Sequence, residues 1–243
     1  MEKNKDAYGQ EVLAAFNGKE SYEIVERDDG FMGLSTGAEA YFADFKQWPK
    51  WQKKAINFAK GKILDVGCGA GRVGLYLQKE GLDVTSIDNS PLAIEVCRKR
   101  RLRNTKVMPI EKVNEFDNGA FDTIIMFGNN FGLFGNFKKA KRLLKKFYKI
   151  TSSNALIIAE SNDPYKTNDP VHLSYHKLNK RRGRMVGQLK IRVRFKNYVG
   201  GWFDYLLVSK KEMEQILKGT GWKVKKYIES GKNTYIALIE KSK

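Results

Sequence analysis

Residues 63–72 read ILDVGCGAGR, a short apolar run interrupted by one aspartate and followed by three glycines at alternate positions. The apolar run is typical of a buried strand, and Asp65 lies inside it, two residues ahead of Gly67. A glycine-rich turn after such a strand usually brings backbone N–H groups against a ligand. The stretch therefore predicts a strand of a parallel sheet that ends at a small-molecule site.

Apolar strands and amphipathic helices alternate from this stretch onward. Five short apolar segments are predicted as strands: 62–66, 83–88, 105–110, 121–128 and 154–161. The helix that follows the second of them has Ser90 as candidate N-cap and Pro91 in its first turn. Near the end, residues 209–221 predict a helix with a capping box from Ser209 to Glu212. After it, WKVKKYIES (222–230) and TYIALIEK (234–241) predict an antiparallel hairpin. The pattern indicates an α/β fold with a doubly wound, mostly parallel sheet and an antiparallel last strand.

The segment 162–208 interrupts this alternation. Within it, QLKIRVRFK (188–196) places apolar side chains on one face of a strand and basic ones on the other. We expect a small antiparallel β insertion after the fifth strand, which caps the main domain. The chain then divides into an N-terminal lid or substrate segment, 1–50, and a main domain, 51–243, with the cap insertion at about 162–208.

The net charge of +18 is unevenly distributed over the 243 residues. Residues 1–44 hold 10 acidic side chains against 4 basic ones, so the remainder of the chain is strongly basic. A basic surface attracts RNA, acidic metabolites or anionic lipid, but a solvated lysine-rich surface has the same composition. Charge alone therefore leaves the partner open.

The composition disfavours several classes of protein. No stretch approaches the roughly 18 uninterrupted apolar residues of a membrane span, and the N-terminus MEKNKDAYGQ lacks the pattern of a signal peptide. Cys68 and Cys97 are too few for a disulfide framework and lack the spacing of metal ligands. We expect a cytoplasmic protein with reduced thiols and no membrane partner.

Dinucleotide-binding dehydrogenases also follow a strand with a glycine turn. Their G-x-G-x-x-G pattern begins directly after the strand, whereas here it fits only from Gly69, two residues late. The second predicted strand ends in Asp88, which is placed to receive two ribose hydroxyls. Asp65, the glycine loop and Asp88 together indicate a ligand site more specifically than the glycines alone. The dehydrogenase is the least favoured class, because its pattern fits only in the late register.

The stretch LDVGCGAGR followed by TSIDNSPLAIEVCRKR resembles the class I S-adenosylmethionine-dependent methyltransferases, over about residues 50–160. The resemblance implies a seven-stranded sheet of the Rossmann-like methyltransferase fold, with S-adenosylmethionine as cofactor. It places the methionine part of the cofactor over Asp65 and the loop, the ribose on Asp88 and the adenine near Glu111. The residues expected to bind the cofactor are Asp65, Gly67, Cys68, Gly69, Gly71, Arg72, Asp88, Asn89, Glu111, Gly128 and Asn129.

The acceptor of the methyl group is expected beyond the carboxyl ends of the strands, where FGNNFGLFG (127–135) and ESNDPY (160–165) lie. Methyltransferases of exocyclic base amines carry an Asn/Asp-Pro-Pro-aromatic motif after the fourth strand, and 128–131 has no proline. This difference disfavours a base-modifying enzyme. Asn129 is expected to contact the cofactor and Asn130 the acceptor, unless both satisfy turn backbone.

The two histidines of the chain, His172 and His176, are four residues apart and would share one face of a helix. Three roles are open for them. They could act as a general base, could bind a metal with Asp163 or Asp169, or could be ordinary residues of a surface helix. The position after the fifth strand favours the base over the metal, and we expect no metal site.

The favoured hypothesis is a methyltransferase that transfers a methyl group from S-adenosylmethionine to O or N of a small molecule. An RNA methyltransferase that uses the basic surface, on tRNA or rRNA, is the alternative. A protein that binds the cofactor without catalysis is the other rival. His172, His176 and Asn130 are the candidate catalytic residues.

Overall fold

A computed structural model describes residues 5–35 and 38–242. The strands are β1 (Ile24–Arg27), β2 (Met32–Leu34), β3 (Lys62–Val66), β4 (Asp83–Asp88), β5 (Asn104–Val107), β6 (Phe121–Met126), β7 (Thr151–Asn162), β8 (Gln188–Phe195), β9 (Tyr198–Val199), β10 (Phe203–Leu206), β11 (Trp222–Glu229) and β12 (Thr234–Lys241). The α-helices are α1 (Ala7–Phe16), α2 (Glu39–Phe42), α3 (Lys50–Ile56), α4 (Arg72–Lys79), α5 (Pro91–Lys99), α6 (Phe137–Ile150), α7 (Pro170–Arg181) and α8 (Lys210–Leu217).

Seven strands of the described chain form one mixed sheet in the order β11-β12-β7-β6-β3-β4-β5. The pairs β3–β4, β4–β5 and β6–β7 are parallel, and β12 is antiparallel to both of its neighbours. This arrangement confirms the predicted α/β fold, including the antiparallel hairpin at the sheet edge. No helix in the described residues is long and apolar enough to cross a membrane.

The predicted local signals for helix starts are present in the structure. The Ser90 hydroxyl accepts a hydrogen bond from the Ala93 N–H at 3.0 Å, with Pro91 as the first residue of α5. At α8, Ser209 and Glu212 form the reciprocal capping box that their spacing predicts. These caps satisfy N–H groups that the first turn of a helix leaves without partners.

The described chain divides into two compact units. The first comprises the residues up to Trp48 together with Lys62–Lys112 and Lys190–Phe203. It contains β3, β4, β5 and a small antiparallel sheet in which β1 pairs with both β2 and β8. In its core, Val12 of α1 packs against Ala93 and Val96 of α5, which attaches the N-terminal segment to the strand–helix core.

The second unit comprises Pro49–Gly61, Val113–Leu189 and the residues from Asp204 onward. It contains β6, β7, β11 and β12, with α3, α6, α7 and α8. The helix α6 buries Leu143, Leu144 and Phe147 on one face and carries its lysines on the other. The basic run 138–146 is therefore the solvent side of an amphipathic helix.

Two elements differ from the expectation. The insertion after β7 begins with a helix, α7, and its strand β8 pairs with β1 of the N-terminal segment, in register Ile24 opposite Arg194. In addition, KWQKKAINFAK (50–60) predicts a helix that ends at Gly61, whereas α3 ends at Ile56. After the helix, the N–H and the C=O of Lys60 both bind the Thr123 hydroxyl, at 3.1 and 2.8 Å.

Candidate cofactor and acceptor site

The glycine loop of the first unit is bonded to the end of β4. The N–H groups of Gly67 and Cys68 donate to the Ile87 carbonyl at 2.9 and 3.1 Å, and the Gly69 N–H donates to Asp88 Oδ2 at 3.0 Å. We expected these N–H groups to face a ligand. They instead bind the end of β4 and fix the loop in place.

Gly69 is required because the N-terminal segment approaches it closely. Its φ is +56°, and an added Cβ would lie 2.6 Å from the Tyr8 hydroxyl and 3.7 Å from the ring of Tyr41. The two tyrosine rings meet edge to face, with centroids 5.3 Å apart. Two aromatic side chains of the N-terminal segment therefore lie against the glycine loop.

Asp88 is buried at the end of β4 and accepts two backbone hydrogen bonds. Besides the Gly69 N–H on Oδ2, the Ser90 N–H donates to Oδ1 at 2.9 Å. Burial raises the pKa of the Asp88 carboxyl, and these backbone hydrogen bonds oppose the increase. Each carboxylate oxygen has a second lone pair, so Asp88 is able to accept two further donors such as ribose hydroxyls. Asn89 follows it directly, at the turn into α5.

Asp65 lies near the end of β3 and is also buried. Burial raises its pKa to about 7, while the positive charge of Arg72 and a hydrogen bond from Ser86 oppose the increase. The Arg72 guanidinium stacks over the Trp48 ring, 4.5 Å from the centroid. The first turn of α4 is thus tied to the N-terminal segment.

The two cysteines lie beneath the glycine loop with their sulfurs 3.9 Å apart. The Cys97 thiol donates to the Gly69 carbonyl at 3.1 Å. The hydrogen bond with Cys97, together with burial, raises the pKa of Cys68 well above its ordinary value, so this thiol stays protonated. Glu111 is half-buried in a 3-10 helix, Ile110–Glu115, that follows β5.

Three buried acids of the N-terminal segment were not predicted as site residues. Asp6 caps α1 through the Gly9 N–H and also accepts hydrogen bonds from the Ser90 hydroxyl at 2.7 Å and the Leu92 N–H at 3.2 Å. Glu11 and Glu23 are buried as well. No local signal marked Glu11, because Gln10 precedes it and both could lie on the polar face of an amphipathic helix.

In the second unit, the carboxylate of Glu160 is buried and has three hydrogen-bond donors around it. It accepts hydrogen bonds from Trp51 Nε1 at 3.0 Å, from Gln52 Nε2 at 2.7 Å and from the Gly128 N–H at 2.7 Å. Glu160 therefore fixes the loop that follows β6 to α3 and β7. Sequence analysis missed this role because nothing in IIAESN distinguishes a buried acid from an exposed one at a strand end.

The asparagines after β6 take part in the same loop. Asn129 has a left-handed backbone, φ +64°, and its Oδ1 accepts a hydrogen bond from the Asn162 N–H at 2.8 Å. Its carbonyl accepts the Tyr205 hydroxyl at 2.7 Å. The Asn129 oxygens thus satisfy turn backbone and a tyrosine, one of the two roles left open for this residue. Asn130 begins the 3-10 helix Asn130–Phe134.

The two histidines lie four residues apart on α7, as the spacing predicted, and both are half-exposed. His172 Nε2 is 3.9 Å from Asp169 Oδ2, and Asp169 caps α7 through the Val171 N–H at 2.8 Å. The buried residues of this helix are Tyr175 and Asn179. Among residues 5–35 and 38–242, no group of three His, Cys, Asp or Glu side chains is placed to hold a metal ion.

Comparison with known proteins shows that the central part of the chain is similar to methyltransferase domains. A family model described as a methyltransferase domain matches residues 63–154. The crystal structure of an S-adenosylmethionine-dependent methyltransferase from Bacteroides fragilis, in complex with S-adenosyl-L-homocysteine, is similar over 100% of this chain and 98% of that chain. The two are 25% identical and superpose with a TM-score of 0.85.

Curated relatives match part of the chain. A putative methyltransferase from Bacillus subtilis is 21% identical over 128 residues, 51% of each protein. A glycine/sarcosine N-methyltransferase from Parasynechococcus marenigrum is 30% identical over 103 residues, which are 40% of this chain and 36% of that protein. The chain spans about half the length of the first curated relatives it matches.

Proposed function

We propose that this chain, whose core is a class I S-adenosylmethionine-dependent methyltransferase domain, transfers a methyl group to an oxygen or nitrogen atom of a small-molecule acceptor. The cofactor supplies an activated methyl group on a sulfonium, and the protein aligns the acceptor with it. The observation that carries the proposal is the approach of Tyr8 and Tyr41 to Gly69. A loop covered by aromatic side chains favours a small acceptor over a polymer.

The residues of the first unit fit the cofactor chemically. Asp88 has lone pairs left for the two ribose hydroxyls. Asp65 is a buried carboxylate that suits the ammonium group of the methionine part. The other proposed cofactor residues keep the roles that the resemblance implies. They are Gly67, Cys68, Gly69, Gly71, Arg72, Asn89, Glu111, Gly128 and Asn129.

His172, His176 and Asn130 remain the candidate catalytic residues of this proposal. A histidine that removes the proton of the acceptor should contribute roughly 100-fold to the rate. The variant His172→Ala should therefore slow methyl transfer by about that factor and leave cofactor affinity unchanged, with exposed Lys177 changed to Ala as control. Full activity of the variant would return His172 to an ordinary surface role.

The proposal includes the division of the chain and its location. The N-terminal segment, 1–50, would bind the acceptor, and 51–243 would form the methyltransferase domain, with its cap insertion at about 162–208. A cytoplasmic location is part of the proposal, supported by two cysteines that are unpaired in the structure.

An RNA methyltransferase is the second candidate because one observation in the second unit favours it. A surface cavity of about 560 Å³ on α6 is lined by Asn114, Lys138, Lys141, Arg142, Lys145, Lys146 and Lys149. Such a row of cations is suited to successive phosphates, and binding would fall steeply with salt concentration. A salt-steep affinity for tRNA or rRNA would favour this candidate.

The experiment that tests the proposal begins with isothermal titration of the protein with S-adenosylmethionine and, separately, NADH. We expect micromolar binding of the first alone. Labelled methyl transfer is then screened with a metabolite extract and with total RNA, each with and without ribonuclease. Label in a small molecule supports the proposal, label in RNA supports the second candidate, and cofactor binding without transfer in either indicates a non-catalytic protein.

A further inference from the structure

The starting point is a buried carboxylate without a partner in the first unit. Glu11 is 0% exposed, and within the described residues neither of its carboxylate oxygens has a hydrogen-bond partner. The Ala38 N–H is near enough to offset part of the pKa increase that burial causes, but it does not reach hydrogen-bond geometry. A charge in such a position costs several kcal/mol unless something neutralises it.

A second acid lies beside it. Glu23 is 6% exposed, and its charge raises the pKa of Glu11 further, after burial. The groups that act on Glu23 are the Ser35 and Tyr41 side chains, which donate hydrogen bonds to it. Neither acid is influenced by a lysine or an arginine of the described chain. Among residues 5–35 and 38–242, no lysine or arginine is thus a cause of either pKa shift.

These acids are close to the glycine loop. Tyr41 both binds Glu23 and lies 3.7 Å from the position of a Gly69 Cβ. The charges of Glu23 and Asp88 both act on the Tyr8 hydroxyl, which lies against the same glycine. Acids and aromatic faces together form the side-chain set that binds ammonium groups.

We propose that Glu11 and Glu23 bind the ammonium group of a primary or secondary amine, and that this amine is the methyl acceptor, with Tyr8 and Tyr41 as the neighbouring aromatic surface. The inference rests on the proposed function and narrows the acceptor atom from oxygen or nitrogen to nitrogen. A cation held there would neutralise two carboxylates that are otherwise buried without one.

The chemistry of such an acceptor requires a base. An ammonium nitrogen has no lone pair for displacement, so it first gives one proton to a carboxylate of the pair. The nitrogen then forms a bond to the methyl carbon with its lone pair, and the electrons of the broken S–C bond stay on the cofactor sulfur. The pKa of Glu11, raised to about 7, suits a group that accepts a proton near neutral pH.

The test measures binding rather than turnover. The protein, saturated with S-adenosylhomocysteine, is titrated with methylamine, butylamine and 2-phenylethylamine, and with methanol, 1-butanol and 2-phenylethanol as matched neutral probes. We expect at least one amine to bind at least about tenfold more tightly than its alcohol. Glu11→Gln and Glu23→Gln should each remove that difference, whereas Glu20→Gln, which changes an exposed acid of the same segment, should preserve it.

Cofactor affinity is measured on the same variants, and this separates the two hypotheses. Unchanged affinity for S-adenosylhomocysteine together with lost amine preference supports the proposal. Equal binding of amines and alcohols, down to the smallest probe, overturns it while leaving the methyltransferase intact. Weakened S-adenosylhomocysteine binding in Glu11→Gln also overturns it, because the acids would then serve the cofactor. Failure of the unaltered protein to bind S-adenosylmethionine would overturn the proposed function itself.

Discussion

Two buried glutamates, one in each unit, have opposite surroundings. Glu160 receives three hydrogen bonds, from an indole, an amide and a backbone N–H, and holds the Gly128 loop in place. Glu11 receives none. Both carboxylates are removed from water, so both have lost their hydration. Hydrogen bonds from the protein replace the lost water around Glu160. Around Glu11, no hydrogen bond from the described residues replaces it.

The contrast separates an acid that holds the fold together from one that we propose binds a ligand. A carboxylate whose lone pairs are occupied by the protein has little capacity left for a ligand, and its removal should cost stability. A carboxylate without partners costs stability while the site is empty, and its removal should increase stability. The sign of the stability change on substitution therefore discriminates between the two kinds of acid.

The largest effect is expected at Glu160. Glu160→Ala leaves three buried donors without an acceptor, which should lower the free energy of unfolding by roughly 3–5 kcal/mol. Urea denaturation measures the change, with Asp117→Ala, an exposed acid of the same unit, as control. A loss below about 1 kcal/mol would mean that Glu160 does not hold this loop, and the comparison with Glu11 would fail.

Glu11→Gln should change stability in the opposite direction, and the change should depend on pH. The folded-state pKa of about 7 lies above the ordinary value of 4.5, so the native state holds a proton that the unfolded state loses. The stability from this proton is complete below pH 4.5 and is lost as pH rises through 7. The variant should therefore match the unaltered protein at pH 4.5 and exceed it at pH 8, by roughly 1–3 kcal/mol. Denaturation at both pH values checks this, and a variant that is less stable at pH 8 would contradict it.

Asp88 is intermediate between Glu160 and Glu11. Its oxygens accept two backbone N–H groups and still have lone pairs for further donors. Asp88→Asn retains one acceptor oxygen for the loop but loses the charge. It should weaken S-adenosylhomocysteine binding by roughly 100-fold, about 2.7 kcal/mol. It should also lower the melting temperature, because the amide NH2 faces one of the two backbone N–H groups that Asp88 accepts. Calorimetric titration measures the affinity, and an unchanged value would remove Asp88 from the proposed cofactor site.

The smallest effect is expected at Glu26, which is paired with two cations. The Arg192 and Arg194 side chains donate hydrogen bonds to it from β8 and lower its pKa to about 2. The stability that this lowering provides is present above about pH 4.5 and is lost as pH falls towards 2. Glu26→Gln should therefore lower the melting temperature slightly at pH 7 and not at all at pH 2. A pH-independent change would show that charge is not its cause.

Sequence analysis predicted those features that depend on near neighbours in the chain. The alternation of strands and helices, the caps at Ser90 and Ser209 and the C-terminal hairpin all follow from local patterns and are confirmed. The glycine loop and Asp88 stay predicted cofactor residues, on the spacing that is typical of a ligand-binding turn. The hydrogen-bond acceptors of the loop N–H groups could not be predicted, because these acceptors lie on another strand.

The features that sequence analysis missed depend on distant parts of the chain. The alternation in β8 indicated which face is apolar, but not that the strand would pair with β1. Glu11 lies in a helix that reads as an ordinary amphipathic one, and its burial follows from packing of α1 on α5. Glu160 is recognisable only once Trp51 and Gln52 are placed beside it.

The pairing of β1 with β8 also bears on how the protein folds during synthesis. Glu26 and Arg192 meet across this pair although 166 positions separate them in the chain, and closure of so long a loop is slow. The strand that follows Glu23 cannot gain this neighbour until residues 188–195 have left the ribosome. The N-terminal segment, which is translated before β8, should therefore complete its structure late, after the glycine loop beneath it has formed.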